Sequence, residues 1–409
     1  MAGAGVALYM SPMGVATNPA VLAFGGRDIY ISAALFNPNR EYTVKGDPTP
    51  PNMADFNGDG QPDVFGLLPG KVESDKPLFV VPAAAINLAL PGGNALGLAL
   101  YGNGGMNTEY PTATFFGSSP TGVNLEQLFV VGTVAKKFGD QHSLGVSGIF
   151  AFQRFKAYGL EAFQGFSSDP SKLTNNGNST ATGFGARIGY LGDFGMLSIG
   201  ASYQTKISMS EFEEYAGLFA GQGDFDIPAT WVVGVALKAT PILTIAADVQ
   251  RVMYSDIPSV ANPMDLVNNA PQVPTDPTDP TSLAPNPNFK PLGSDDAWGF
   301  GWEDMTVFKL GVQLKPLPGL ALRAGFSTGG QPIPDSEVLF NILAPGVIEQ
   351  HFTLGFSKVL LPTVTLNVAG MYAPSKSVEG KNPMEISGQT IELKMNQFEV
   401  EAGVLISLP

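Results

Sequence analysis

Ser143-Leu144-Gly145-Val146-Ser147-Gly148-Ile149-Phe150-Ala151-Phe152-Gln153 alternates small or polar residues with apolar ones. Successive side chains of a β-strand point to opposite faces. Leu144, Val146, Phe150 and Phe152 therefore share one side, and Ser143, Gly145, Ser147 and Ala151 the other. Leu197 to Gln204 repeats the pattern, with Leu197, Ile199, Ala201 and Tyr203 set apart from Ser198, Gly200, Ser202 and Gln204. Working outward, the same period of two marks fourteen segments. They are roughly 28–44, 78–90, 95–104, 125–138, 143–153, 182–191, 196–207, 228–239, 243–253, 305–315, 320–328, 350–359, 363–373 and 394–408.

The connections separate into two kinds. Six are tight and carry Gly or Pro: Pro91–Asn94, Gly139–His142, Gly192–Gly195, Thr240–Ile242, Pro316–Gly319 and Leu360–Pro362. Seven are long: 46–77, 105–124, 154–181, 208–227, 254–304, 329–349 and 374–393. Short and long alternate from end to end, which places both termini on the short-turn side. An all-β fold follows, a transmembrane antiparallel β-barrel of about 14 strands with long loops on its outer rim.

Composition agrees. In 409 residues only 14% are charged, and no run approaches the ~20 apolar residues of a membrane helix. Mean hydropathy is nevertheless just +0.11, as expected where apolar residues face lipid at every second position. The absence of cysteine excludes disulfides, thiolate metal sites and cysteine nucleophiles, and a net charge of −14 excludes nucleic acid as a partner. Met1–Gly5 has neither a basic start nor an apolar core, so the numbering is expected to begin at the mature end of an exported chain.

Strand charges gather on the inward face: Arg187, Asp248, Lys309, Arg323, Glu399 and Glu401. A Lys or Arg facing lipid near the midplane costs about 2–4 kcal/mol, so a wet or paired lumen is the cheaper place. These groups either pair with one another and with buried backbone or meet a ligand. Residues 1–27, rich in Gly and Ala, form a separate unit before the barrel at 28–409. Its centre, Asn18-Pro19-Ala20, reads as an ordinary turn before a strand or as the tip of a plug inside the lumen.

Among the long loops, Asp55, Asn57, Asp59 and Asp63, with Gly60, match the first part of a calcium loop, but Gly66 stands where the bidentate Glu belongs. Ca²⁺ and a solvated acidic turn both remain open. Pro274 to Thr281 repeats Pro-Thr-Asp and predicts an extended, mobile arm. Two other loops have helix-spaced apolar residues: Phe155, Tyr158, Leu160, Phe163 and Phe166, then Met209, Phe212, Tyr215, Leu218 and Phe219. Facing each other above the barrel, two such helices would leave an apolar groove.

Several stretches resemble the FadL/TodX-type outer-membrane transporters of long-chain fatty acids and other hydrophobic compounds. They include Asn18-Pro19-Ala20, Tyr101–Asn107, Gln153–Tyr158, Tyr215–Phe219 with Gly223–Pro228, Gly301–Asp304, Gln331–Asp335, Asn341–Gly346 and His351–Thr353. The resemblance spans nearly the whole chain. It implies a fourteen-stranded barrel, an N-terminal hatch in the lumen, a groove between two extracellular loops and a tighter pocket within. It also implies a kinked third strand, here with Gly102, Gly104 and Gly105, whose hole in the wall releases ligand sideways. Basic side chains can meet a ligand carboxylate; Arg154, Lys156, Lys309 and Arg323 are the candidates. The end Ile406-Ser407-Leu408-Pro409 departs from the aromatic terminus of such barrels and points to a trimmed end or a different assembly signal.

The expected function is passive uptake of long-chain fatty acids, alkanes or aromatic hydrocarbons across a Gram-negative outer membrane, with no required cofactor. Expected partners are that cargo, membrane lipid and lipopolysaccharide, around a monomer. A diffusion porin for polar solutes is the alternative. An enzyme is disfavoured, because a nucleophile needs a base in reach, and of the two histidines His142 sits in a short periplasmic turn and His351 begins a strand, where structural roles are expected.

Overall fold

The computed structural model describes residues 1–50, 65–265, 269–276 and 279–409. Fourteen antiparallel strands follow one another in chain order. They are β1 (Asp28–Lys45), β2 (Phe79–Leu90), β3 (Asn94–Tyr110), β4 (Thr121–Phe138), β5 (His142–Tyr158), β6 (Ser179–Asp193) and β7 (Leu197–Gln204), then β8 (Thr230–Thr240), β9 (Leu243–Val252), β10 (Met305–Leu317), β11 (Leu320–Gly329), β12 (Gln350–Leu361), β13 (Val364–Lys381) and β14 (Thr390–Ser407). Each pairs with the next, and β14 returns to β1 from Asp28↔Ser407 to Lys45↔Thr390. The sheet is closed, which leaves no unpaired edge at the seam. Two short strands, Gly70–Glu73 on β1 and Ser208–Met209 on β6, extend the wall locally.

The outer face carries exposed Ile31, Leu35, Leu98, Val146, Ile188 and Leu354. In water such a surface would associate; in a bilayer it is the buried side. No helix among the described residues is long and apolar enough to cross a membrane.

Several strands outrun the bilayer. β1, β4, β13 and β14 have 18 residues each, whereas a spanning strand needs about 9–11. Outward residues change character along them, from Leu35 to Asn37, Asn39 and Glu41, from Phe152 to Arg154 and Lys156, and from Phe398 to Asn396, Lys394 and Glu392. The hydrocarbon edge therefore runs near Leu35, Phe152 and Phe398. Above it lies an outward ladder of ion pairs: Lys71–Glu41 (2.8 Å), Lys394–Glu41 (3.0 Å), Lys45–Glu379 (2.7 Å) and Lys45–Glu392 (2.9 Å).

Parts of the expected loops 105–124, 154–181 and 374–393 are thus strand. The continuing ladder satisfies backbone groups that a loop would leave to water. The Pro-Thr-Asp run is extended, as expected, and its described residues are paired, Gln272–Asp276 running antiparallel to Asp279–Pro285. A two-stranded ribbon has free edges on both sides, where a proline costs no hydrogen bond. The calcium candidates Asp55, Asn57, Asp59 and Asp63 lie outside the described residues.

Candidate functional site

Residues 1–27 lie inside the barrel, coiled into short 3₁₀ turns at Pro12–Ala16 and Pro19–Phe24. Asn18 is fully buried and caps the second turn, its Oδ1 accepting from Ala20 N at 3.0 Å. Its Nδ2 donates to the carbonyls of Val6 (2.7 Å) and Tyr190 (2.9 Å), tying two parts of the plug to the wall. The wall makes room. Gly145 on β5 is the cross-strand partner of Gly189 on β6, and a Cβ on Gly145 would lie 2.5 Å from the Pro19 carbonyl carbon. A Cβ on Gly189 would overlap Asn18 Oδ1.

Inward charges hold plug backbone. Asp248 Oδ2 accepts from Gly5 N (2.7 Å) and Val6 N (3.0 Å), and Arg187 Nη1 donates to Val15 O (2.7 Å). Buried Asn87 donates to the carbonyls of Leu22 (3.0 Å) and Gly26 (2.8 Å). The bonds to Gly5, Val6, Val15 and Gly26 satisfy plug backbone groups, whereas Leu22 O already accepts from Gly25 N at 3.0 Å and gains a second donor.

Above the plug lies a chamber of 420 Å³, floored by Ala16 and Thr17 and walled by Met106, Leu125, Val232, Val252, Phe300 and Trp302. Polar groups enter it throughout, among them Asn103, Gln127, Arg187, Gln204, Gln250 and Lys309. Lys309 Nζ is engaged by Gln250 Oε1 at 2.6 Å. An enclosed space of this size that joins apolar walls to placed polar groups can hold a small molecule.

A second cavity, of 730 Å³, sits in the wall itself. β2 and β3 pair only from Leu90↔Asn94 to Ala83↔Tyr101. Pro82, the next residue of β2, has no N–H to donate, and the pairing stops there. On the other edge of β3 the register to β4 slips between Gly102 and Gly104, so Asn103 is a bulge. The bulge is held by Asn103 Nδ2 donating to Gln127 Oε1 at 3.2 Å. Higher up, Asp75 N donates to Glu109 O (2.7 Å) and re-bridges the wall. Between these closures lies a window framed by Phe79–Pro82 and Gly102–Thr108. Leu128, the partner of Gly102, pairs with Phe152, so the window opens level with the hydrocarbon edge.

The apolar loop residues lie elsewhere than their spacing suggested. Phe155 and Tyr158 belong to β5 and Met209 to the short strand on β6, and the rest sit in 3₁₀ turns at Glu161–Phe166 and Glu213–Tyr215 and in short connections. Gly221, Gln222 and Gly223 have φ of 63°, 56° and 107°, which stops any longer helix. The expected groove is closed, because Phe155, Leu160, Phe163, Phe212, Tyr215, Leu218, Phe219 and Met209 are buried in a shared core. Phe155 alone meets Phe212, Tyr215 and Phe219 at centroid distances of 5.3, 4.9 and 4.8 Å. Tyr158 bonds Thr108 O at 2.8 Å, next to β3.

The basic candidates divide. Arg154 and Lys156 face outward, Arg154 paired with Glu126 (2.7 Å) and Lys156 over the Tyr158 ring (5.0 Å). An even position on β5 cannot reach the lumen. Lys309 and Arg323 do face it, and Arg323 Nε donates to Gln313 Oε1 at 2.9 Å. At the chamber roof, Asp226 pairs with Lys206 (2.6 Å) and accepts from Met209 N (2.7 Å). Burial, then the neighbouring Asp226 charge, pushes the Asp224 carboxyl up to about 6.

Met106, Leu125, Gln127 and Trp302 line both cavities. Composition held no signal for them, since their position depends on which strands fail to pair.

A closed barrel with a seated plug, a chamber above it and a window at the lipid level defines an outer-membrane transport protein. The chain belongs to the outer membrane protein transport protein family (OMPP1/FadL/TodX), matching it over residues 1–407. It is accordingly a Gram-negative outer-membrane protein of a family that transports hydrophobic compounds, and a transport channel rather than an enzyme. Among solved structures it is similar to the Pseudomonas putida toluene transporter TodX (TM-score 0.65, 17% identity, 98% of this chain and 95% of that one). It is also similar to a Pseudomonas aeruginosa FadL homologue (0.67, 15%, 99% and 96%) and to the Ralstonia pickettii toluene transporter TbuX (0.62, 17%, 100% and 97%). No curated protein matches the chain significantly by sequence.

Proposed function

We propose that the protein carries hydrophobic small molecules passively from the outer surface into the chamber and then sideways through the β2–β3 window into the membrane. The observation that carries this reading is that chamber and window cavity share Met106, Leu125, Gln127 and Trp302, so the two adjoin at the lipid level. Fatty acids, alkanes and aromatic hydrocarbons are the cargo class, and similarity to proteins named toluene transporters supports the aromatic end of it.

Capture falls to the loop core around Phe155, Phe163, Phe212 and Phe219, which parts to admit a guest. Lys309, in the chamber, is the polar contact for a carboxylate, with Arg323 deeper. Asn18-Pro19-Ala20 keeps the bore shut to polar solutes while the apolar route stays open. The drive is partition alone, since every CH₂ moved from water into lipid gains about 0.8 kcal/mol. Outward Arg154 and Lys156, above the hydrocarbon edge, meet lipopolysaccharide headgroups, and one chain is the working unit.

The test is entry of a solvatochromic hydrophobic probe into liposomes. The parent protein should accelerate it. Deleting Asn103 removes the bulge and lets β3 run regular past Tyr101, so the acceleration should fall about tenfold or more while the barrel stays folded by its heat-shifted gel mobility. Equal rates for the parent and the deletion would refute lateral exit.

A further inference from the structure

Trp302 stands where the chamber meets the window cavity and lines both. Its backbone N–H donates to Val260 O at 3.0 Å and its indole Nε1–H to Asn341 Oδ1 at 2.6 Å. Asn341 is fully buried, and its amide nitrogen is spent on the carbonyls of Phe300 (2.6 Å) and Glu337 (2.8 Å). Its oxygen is therefore aimed at the indole and cannot exchange roles with its nitrogen.

The ring is braced on both sides. Tyr254, a chamber residue, meets it edge-on at 5.2 Å and 88°. Gly346, a window residue, lies so close that a Cβ there would stand 3.2 Å from Trp302 Cη2. Opposite the indole, the sill is the Asn103–Gln127 hydrogen bond, whose two residues also line both cavities. Trp298, by contrast, is 1% exposed and belongs to packing alone, whereas Trp302 is half-buried.

The geometry points to Trp302 as the residue that sets how wide a cargo passes from chamber to window, with Asn341 as the positioning residue that holds the indole across the doorway. This rests on the lateral-exit reading above. A slender chain or single flat ring slips between indole and sill; a cage or branched hydrocarbon of equal hydrophobicity is held back by a ring whose hydrogen bond and two packing partners must all give way.

The experiment compares n-octane with adamantane as cargoes in liposomes containing parent, Trp302→Ala or Trp302→Phe protein. Removing the ring should raise the adamantane-to-octane rate ratio about tenfold, the scale at which a pocket senses lost bulk. Trp302→Phe, which keeps a ring but loses the bond to Asn341, should fall between the two and guards against a variant that merely fails to fold. A second measurement uses a background with Trp231 and Trp298 replaced by Phe, where a brominated alkane should quench Trp302 fluorescence. An unchanged ratio overturns the width filter, and so does undiminished flux with no quenching, since cargo then bypasses the indole. A parent that carries neither hydrocarbon yet shows quenching overturns the uptake reading instead, and the filter falls with it.

Discussion

Asn18 concentrates three hydrogen bonds on one buried side chain, and two of them cross from plug to plug or plug to wall. Replacing it by Ala leaves the carbonyls of Val6 and Tyr190 without their donor in a dry site, at about 1–3 kcal/mol. Asn18→Ala should therefore loosen the plug without unfolding the barrel. The expected signs are faster hydrogen exchange in residues 1–27 and a raised ionic conductance in planar bilayers. Gly189→Val attacks the same contact from the wall and should give the same phenotype. Gly148→Val makes the control, because that glycine faces lipid with nothing within 4 Å of an added Cβ.

Among the elements, the segment from Ser208 to Pro228 has a titratable support. Asp224 is half-buried beside Asp226, and its folded value of about 6 lies above its ordinary 3.8. Between those values the folded state keeps a proton that the unfolded state has released, so stability falls as pH rises through the window. Protection of the Phe212–Ile227 amides, taken as exchange relative to the intrinsic amide rate at each pH, should consequently fall from pH 4 to 6.5, and Asp224→Asn should flatten that profile; parent protection already constant over the range would contradict the assignment. Period two made the membrane strands readable, because lipid outside and plug inside impose opposite demands on neighbouring residues. The strands' outer extensions were not readable in the same way. Above the hydrocarbon edge, polar residues occur on both faces and the alternation fades, as from Glu109 to Asn124. The irregularity of β3 was legible only through the resemblance, which implied a kink at Gly102, Gly104 and Gly105, whereas the lost pairing with β2 above Ala83 is a property of two strands together. The loop aromatics misled because helix-like spacing also suits a cluster assembled from a strand and short turns, as Phe155 and Tyr215 are.

The whole barrel sorts its charges by height. Glu41 joins Lys71 and Lys394 in the outward ladder above the lipid, where exposed pairs contribute about 0–1 kcal/mol each. Glu41→Gln should thus shift the thermal midpoint little and leave probe uptake unchanged; a large loss of either would mean that this ladder, rather than the ring of backbone pairing, holds the upper wall. Inward glycines reveal a different dependence. Gly97 leaves space for Leu22, Gly145 for Pro19, Gly200 for Val6 and Gly325 for Met1. Cast and mould were shaped to each other residue by residue, so grafting the first 27 residues of a relative onto this wall, or this wall onto a relative's leading segment, should give misfitted chimeras unless both halves travel as one inheritance.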